Sequence, residues 1–275
     1  MIRVSKVEIL CIGNEILSGI TLNTNAYWIC KKVARIGGLV TRVLSVRDDL
    51  KEIDDAIKNS LKRGPDWLIT CGGLGPTYDD MTLIGVSRSL GKKLILNSSA
   101  VRMIKDSYKN RGQDVKLTNA RLKMAMIPEG SLPVPNPVGN APAVEIKSKK
   151  TRIVCLPGVP LEMKAIFSAS ILGRIKTEVG KFIARQNYYY VEGVGEATLA
   201  RTLSKVVKKF PPEVLYLKTH PQGHIRKNIP VMRIQIISKG NRRADVEKVL
   251  EKVSKDLILQ VKEKGGIIKP ILSRY

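Results

Sequence analysis

CGGLGPTYDDMT, residues 71 to 82, strings the end of a buried strand, a glycine turn, a hydroxyl and two carboxylates together. The strand before it reads DWLITC, Asp66 to Cys71. Gly72, Gly73 and Gly75 let the backbone turn sharply and leave bare amides open to a ligand, with the Thr77 hydroxyl beside them. Pro76 rigidifies the exit. Leu83, Val86 and Leu90 at helical spacing predict a helix that starts near Asp79, so its unpaired N–H groups and positive dipole end face the turn. That combination is an anion site. A purely structural reading stands beside it, in which Asp79 and Asp80 cap the helix and the glycines make a tight strand-to-helix turn. Two common phosphate loops are excluded: the stretch has neither the Lys-Ser/Thr of a Walker loop nor the G-x-G-x-x-G spacing of a dinucleotide fold.

Two strand–helix units precede the motif. Val7 to Gly19 reads VEILCIGNEILSG; its unalternating run Ile9 to Ile12 fits a strand buried on both faces, ending in Gly13, Asn14 and Glu15. Asn23 to Asn25 offers caps for a helix with Ala26, Ile29, Val33 and Ile36 on its apolar face. A second strand, around Val43 to Val46, leads into Asp48 and Asp49, and Leu50, Ile53, Ile57 and Leu61 mark the next helix. This alternation predicts an α/β fold with a mostly parallel sheet between helical layers.

Beyond the motif come a short strand at Leu94 to Leu96 and a helix carrying Val101, Ile104 and Tyr108. A loop rich in proline and glycine, Pro128 to Pro142, follows. Two strands, Val144 to Ile146 and Ile153 to Leu156, are joined by the charged turn KSKK, and the second runs into LPGVPLEMK, Leu156 to Lys164. There Pro160 suits a first helical position and Glu162 a first turn. Gly13, Gly72 with Gly73, and Gly158 thus end three strands. In a parallel sheet those ends share the carboxyl edge, where open α/β sheets bind ligands, so the three turns are expected to meet at one pocket.

The chain has 275 residues, room for two domains, and 48 Lys plus Arg against 24 Asp plus Glu, a formal charge of +24. That charge attracts polyanions and small anions, although its basic residues are spread through KSKKTR, VVKKF and HIRKN, and a Lys-rich thermophile-type surface reads the same way. No apolar run is long enough to span a membrane and the first residues lack a signal peptide's form, so a cytoplasmic protein is expected. Cys11, Cys30, Cys71 and Cys155 sit in apolar surroundings without C-x-x-C spacing and read as buried free thiols. Composition shifts after about Arg174, dividing the chain into residues 1–174 and 175–275. The second part reads as a small α+β domain with strands at Asn187 to Glu192, Val214 to Thr219 and Val231 to Ile237 and helices at Glu196 to Lys209 and around Val246 to Val261. His220 and His224 have the spacing of a helical metal pair, but Pro221 and Gly223 predict a loop there.

GNEILSG (13–19), NTNA (23–26), GGLGPTYDDMT (72–82), IPEG (127–130), VGNAPA (138–143) and LPGVPLEM (156–163) together resemble the CinA family, whose first domain is similar to the molybdopterin-binding fold of MogA and MoaB. The second part resembles the smaller KH-type domain of CinA proteins. The resemblance implies a three-layer αβα domain that hydrolyses ADP-ribose or a related nucleotide diphosphate with a divalent cation, Mg²⁺ or a transition metal. It also implies a homodimer. The amidase domain of full-length CinA is not expected, since the chain ends at Tyr275. Two other classes stay open: a molybdopterin-binding or adenylyl-transferring protein, because fold alone does not fix chemistry, and a nucleic-acid-binding protein. The last ranks third, since no G-x-x-G loop follows Arg174.

For the hydrolase, the amides of Gly72, Gly73 and Gly75 with Thr77 would hold one phosphate. Asp79 or Asp80 would ligate the cation while the other caps the helix, and Glu15 would be a second ligand or base. Asn14, Asn25, Gly158, Glu162 and Lys164 complete the expected pocket around a small anionic nucleotide or pterin.

Overall fold

The computed structural model describes residues 5–113, 116–225 and 229–271. The chain divides into two compact units, with the division after Val179. The first unit runs β1 (Lys6–Ile12), α1 (Asn14–Leu17), α2 (Thr24–Arg35), β2 (Leu39–Val46), α3 (Leu50–Arg63), β3 (Trp67–Cys71) and α4 (Thr82–Ser89). It continues with β4 (Leu94–Leu96), α5 (Ser98–Lys109), α6 (Asn119–Lys123), β5 (Met126–Pro128), β6 (Leu132–Val134), β7 (Ala143–Ser148), β8 (Thr151–Leu156) and α7 (Pro160–Ile166). A π-helical stretch, Phe167–Ile171, leads into α8 (Leu172–Val179).

Six strands form one sheet in the order β2-β1-β3-β8-β7-β6. β2, β1, β3 and β8 run parallel. The KSKK hairpin turns β7 antiparallel to β8, and β6 is antiparallel to β7, so the sheet is mixed. Its parallel part is the part that carries the glycine turns. From β1 the chain steps to β2 on one side and then crosses to β3 on the other, which places the switch in strand order between the ends of β1 and β3.

Helices cover both faces. Leu10, Ile12 and Leu68 pack with Ile53 and Ile57 of α3 and Val86 of α4. The intervening Ile9, Cys11, Trp67 and Ile69 are equally buried and by alternation point to the other face. There Trp67 Nε1 donates to Glu178 Oε2 of α8 at 2.6 Å, and Trp28 of α2 meets Phe167 edge-on at 5.7 Å. Burial on both sides is why β1 and β3 read as continuous apolar runs. Caps fix the helix starts: Asn23 accepts from the Ala26 amide, and Asp49 from the amides of Lys51 and Glu52.

Three differences from the sequence expectation have physical causes. β2 begins earlier, at Leu39, because it pairs with β1 from Lys6 onward, and the polar Thr41 and Arg42 interrupt the apolar run in between. α6, β5 and β6 are too short for periodicity to show. α4 begins at Thr82, not near Asp79, since Asp79 and Asp80 are engaged within the loop before it.

The second unit runs β9 (Ile183–Glu192), α9 (Glu196–Val207), β10 (Leu215–Ile225), β11 (Ile229–Gly240), α10 (Arg243–Glu263) and β12 (Ile267–Ile271). Its sheet is antiparallel in the order β10-β11-β9-β12. The last strand adds to the expected βαββα run. His220 and His224 lie in β10 rather than in a loop; a register shift between Pro221 and His224 accommodates the proline and glycine. The His224 side chain, and Arg226 and Lys227 of the HIRKN segment, lie outside the described residues.

Candidate functional site

The three glycine turns meet. A cleft of about 470 Å³ opens at the carboxyl edge, lined by Gly13, Glu15, Gly72, Gly73, Gly75, Thr77, Asp79, Asp80, Gly158 and Glu162 among others. Backbone bonds tie the strand ends together: the Gly13 amide donates to the Val46 carbonyl at 3.1 Å and the Gly72 amide to the Leu156 carbonyl at 3.0 Å. Gly72 has φ +107°, and a Cβ there would stand 2.1 Å from the Ile12 carbonyl oxygen. Gly73, at φ +67°, would place one 2.3 Å from Thr82 Oγ1. Both positions therefore require glycine.

Thr82, fully buried, closes the turn onto α4: its Oγ1 donates to the Gly72 carbonyl at 2.7 Å and its amide to the Gly73 carbonyl at 3.2 Å. Thr77 turns to the carboxylates. Its amide donates to Asp80 Oδ2 at 2.8 Å, and its hydroxyl lies within hydrogen-bond distance of both Asp79 and Asp80. Thr77 thus orders the two aspartates instead of presenting a free hydroxyl to a phosphate. Neither aspartate caps α4. The Thr77 hydroxyl, a backbone amide and the Lys123 ammonium hold the Asp79 carboxyl below its usual range, and Lys123 Nζ also donates to the Thr77 carbonyl.

Asp48, absent from the expected site, stands in the same wall. Burial pushes its carboxyl up, and the charges of Glu15, Asp79 and Asp80 push the same way against the hydrogen bond from the Asn14 amide, 2.8 Å from Oδ2. Four carboxylates therefore share the cleft's acidic side. No three of them converge into a cation site among the described residues. Hard oxygen donors spaced this way suit a cation that arrives with a ligand's phosphates and takes one or two protein carboxylates.

The other expected residues split. Glu162 lines the cleft and accepts from Asn136 Nδ2 at 2.7 Å. Gly139 lets the VGNAPA loop come close, since a Cβ there would meet the Glu162 carboxyl at 2.1 Å. Asn25 Nδ2 donates to the Gly158 carbonyl at 2.7 Å, so Asn25 positions the third turn from outside the main cleft. Asn14 positions Asp48. Lys164 lines neither cavity. Tyr108, Met124 and Asn140 complete the cleft; only the VGNAPA segment of the sequence pointed toward that side.

A sheet with helices on both faces and a glycine-lined cleft at its carboxyl edge defines a ligand-binding α/β domain. Residues 8–177 match the family model described as a probable molybdopterin binding domain, and the chain belongs to that family. It is 41% identical to CinA of Thermoplasma acidophilum, a protein of unknown function whose crystal structure is covered over 98% of its length by 62% of this chain, with a TM-score of 0.58. The CinA resemblance of the motifs is thereby shown. Over 95% of its length the chain is similar to a protein of Metallosphaera sedula (39% identical, 96% of that protein) and to one of Saccharolobus solfataricus (36% identical, 94% of that protein). Among the described residues no helix is long and apolar enough to cross a membrane.

Proposed function

We propose that the first unit binds a small phosphate-bearing ligand, a molybdopterin-type pterin or a nucleotide, at the carboxyl-edge cleft. The observation that carries this reading is the turn at Gly72 and Gly73, a left-handed backbone that only glycine accommodates, set at the strand-order switch. The family description supports the pterin. A bare phosphate would be repelled by Glu15, Asp48, Asp79 and Asp80, so the ligand enters with a divalent cation that screens them. Isothermal titration with pyrophosphate, a pterin phosphate and ADP-ribose, each with and without Mg²⁺, tests the reading. Binding of at least one in the presence of Mg²⁺ is expected; binding of none sinks it.

The same carboxylates favour a second reading, cation-assisted hydrolysis of a nucleotide diphosphate such as ADP-ribose. A bound cation would supply charge neutralisation and a more acidic water. In this reading Glu15, exposed at the mouth, would take a proton, and Asp79 and Asp80, ordered by Thr77, would hold the cation. Release of AMP from ADP-ribose, lost in Glu15→Gln, would bring this reading ahead of simple binding; a ligand that binds and is recovered intact would leave the binding reading alone.

A further inference from the structure

Among the described residues, the helices of the second unit, α9 and α10, pack on one face of its sheet. Tyr189 and Val191 of β9, Met232, Ile234 and Ile236 of β11, Leu215 and Leu217 of β10 and Ile268 of β12 pack with α9 and α10 in one core. Their alternating neighbours stand on the opposite face. Cross-strand register assembles those neighbours into rows: Arg233 opposite Tyr190 and Tyr190 opposite Lys269; Lys218 opposite Gln235 and Gln235 opposite Tyr188; Tyr216 opposite Ile237. Among the described residues, three tyrosines and the cations of Lys218, Arg233, Lys239 and Lys269 share this face with one strand carboxylate, Glu192.

Tyr188 and Tyr190 are half-buried on this face. Tyr216 is 44% exposed. Gln235 Nε2 donates to the Tyr188 hydroxyl at 2.8 Å, and the Arg233 guanidinium lies 5.6 Å from the Tyr188 ring centre. Tyr188 and Tyr190, two residues apart on one strand, stand about 7 Å from each other. An open sheet that interleaves aromatic rings with cations offers planes for unpaired bases and charges for the phosphates that link them. A duplex hides its base faces and cannot use the rings. We infer that this face binds single-stranded nucleic acid, independently of the cleft in the first unit. The sequence argued against nucleic acid from the missing G-x-x-G loop, but a sheet platform needs no such loop.

The test is fluorescence anisotropy of the full chain with labelled U and dT strands of about twelve nucleotides and a DNA duplex. Single strands should bind more tightly than the duplex, and the tighter of U and dT names the strand chemistry. Four phosphate contacts at about 0.7 each predict a slope near −3 in log affinity against log salt. Tyr190→Ala and Tyr216→Ala should each weaken binding by about 5- to 100-fold, the loss of one stacked base. Tyr190→Phe, which keeps the ring, should bind as the parent does, and so controls for folding. The double variant Lys92→Gln with Lys93→Gln removes two positive charges from the first unit and should change affinity less than twofold. No binding by the parent, equal affinity for the duplex, or unchanged affinity in both Tyr→Ala variants would each overturn the inference.

Discussion

Replacing Gly72 by alanine separates a turn that the fold merely tolerates from one on which the cleft depends. An alanine there must hold φ +107°, a strain of roughly 1–3 kcal/mol. Its Cβ would also stand 2.1 Å from the Ile12 carbonyl oxygen, about 1 Å inside the closest contact real Cβ atoms make. That oxygen is backbone of a central strand, so relief requires β1 and β3 to move apart at their ends, an overpacking cost of roughly 1–3 kcal/mol. Together these predict a loss of about 2–6 kcal/mol. At about 2–4 °C per kcal/mol for a unit of this size, the thermal midpoint should fall by about 4–24 °C. Gly158→Ala is the control: its Cβ would meet the Gly72 Cα at 3.4 Å and the Gly72 nitrogen at 4.0 Å, ordinary contacts, so it should cost about 1 kcal/mol or less. Circular dichroism melts of parent and both variants, with pyrophosphate titration of whatever remains folded, give the comparison. A Gly72→Ala protein that melts within 2 °C of the parent, or a Gly158→Ala protein destabilised as much, would refute the geometric argument.

The remaining expectations concern charge. Asp80→Asn keeps one oxygen for the Thr77 amide and should cost about 1 kcal/mol or less in a urea melt, yet abolish any Mg²⁺-dependent ligand binding that relies on the carboxylate. Glu8, buried in β1, is pushed up by desolvation but pulled lower overall by the paired hydrogen bonds and charge of Arg63, 2.8 and 2.6 Å away. A carboxylate with a depressed folded pKa contributes stability above its unfolded pKa and loses it as pH falls through the folded one. The parent should therefore lose stability in the acid range below pH ~4, and Arg63→Ala, itself costing about 1–3 kcal/mol at neutral pH, should reduce that loss by the share Glu8 contributes. Burial pushes the Cys155 thiol up to about 12 and Cys71 well above its usual value. Ellman's reagent should therefore leave both unmodified in the native protein and label them only after denaturation; rapid labelling at neutral pH would show that the core opens.

What the sequence revealed and what it hid follow from the range of each interaction. Gly72 and Gly73 were legible because a left-handed backbone leaves a residue-type signature at the very position where it occurs. The meeting of three turns was legible because parallel strands place their carboxyl ends together, whatever the intervening helices contain. The roles of Asp79 and Asp80 were not, because local spacing cannot distinguish a side chain that caps a following helix from one held by a hydroxyl two or three residues earlier. Here Thr77 wins, and the helix starts at Thr82 with its own buried hydroxyl on the glycine turn. Asp48 was hidden for a different reason: it reads as the end of β2, and only the sheet order, which seats β2 beside β1, brings it against Asn14 and the charge of Glu15. The tyrosines of β9 illustrate the opposite case. Tyr188, Tyr189 and Tyr190 form an unbroken aromatic run whose members look alike in sequence. Pairing with β11 sends Tyr189 into the core and leaves its two neighbours on the opposite face with Arg233. The strand's alternation, invisible in three identical letters, thus turns one tyrosine into packing and two into a surface for bases.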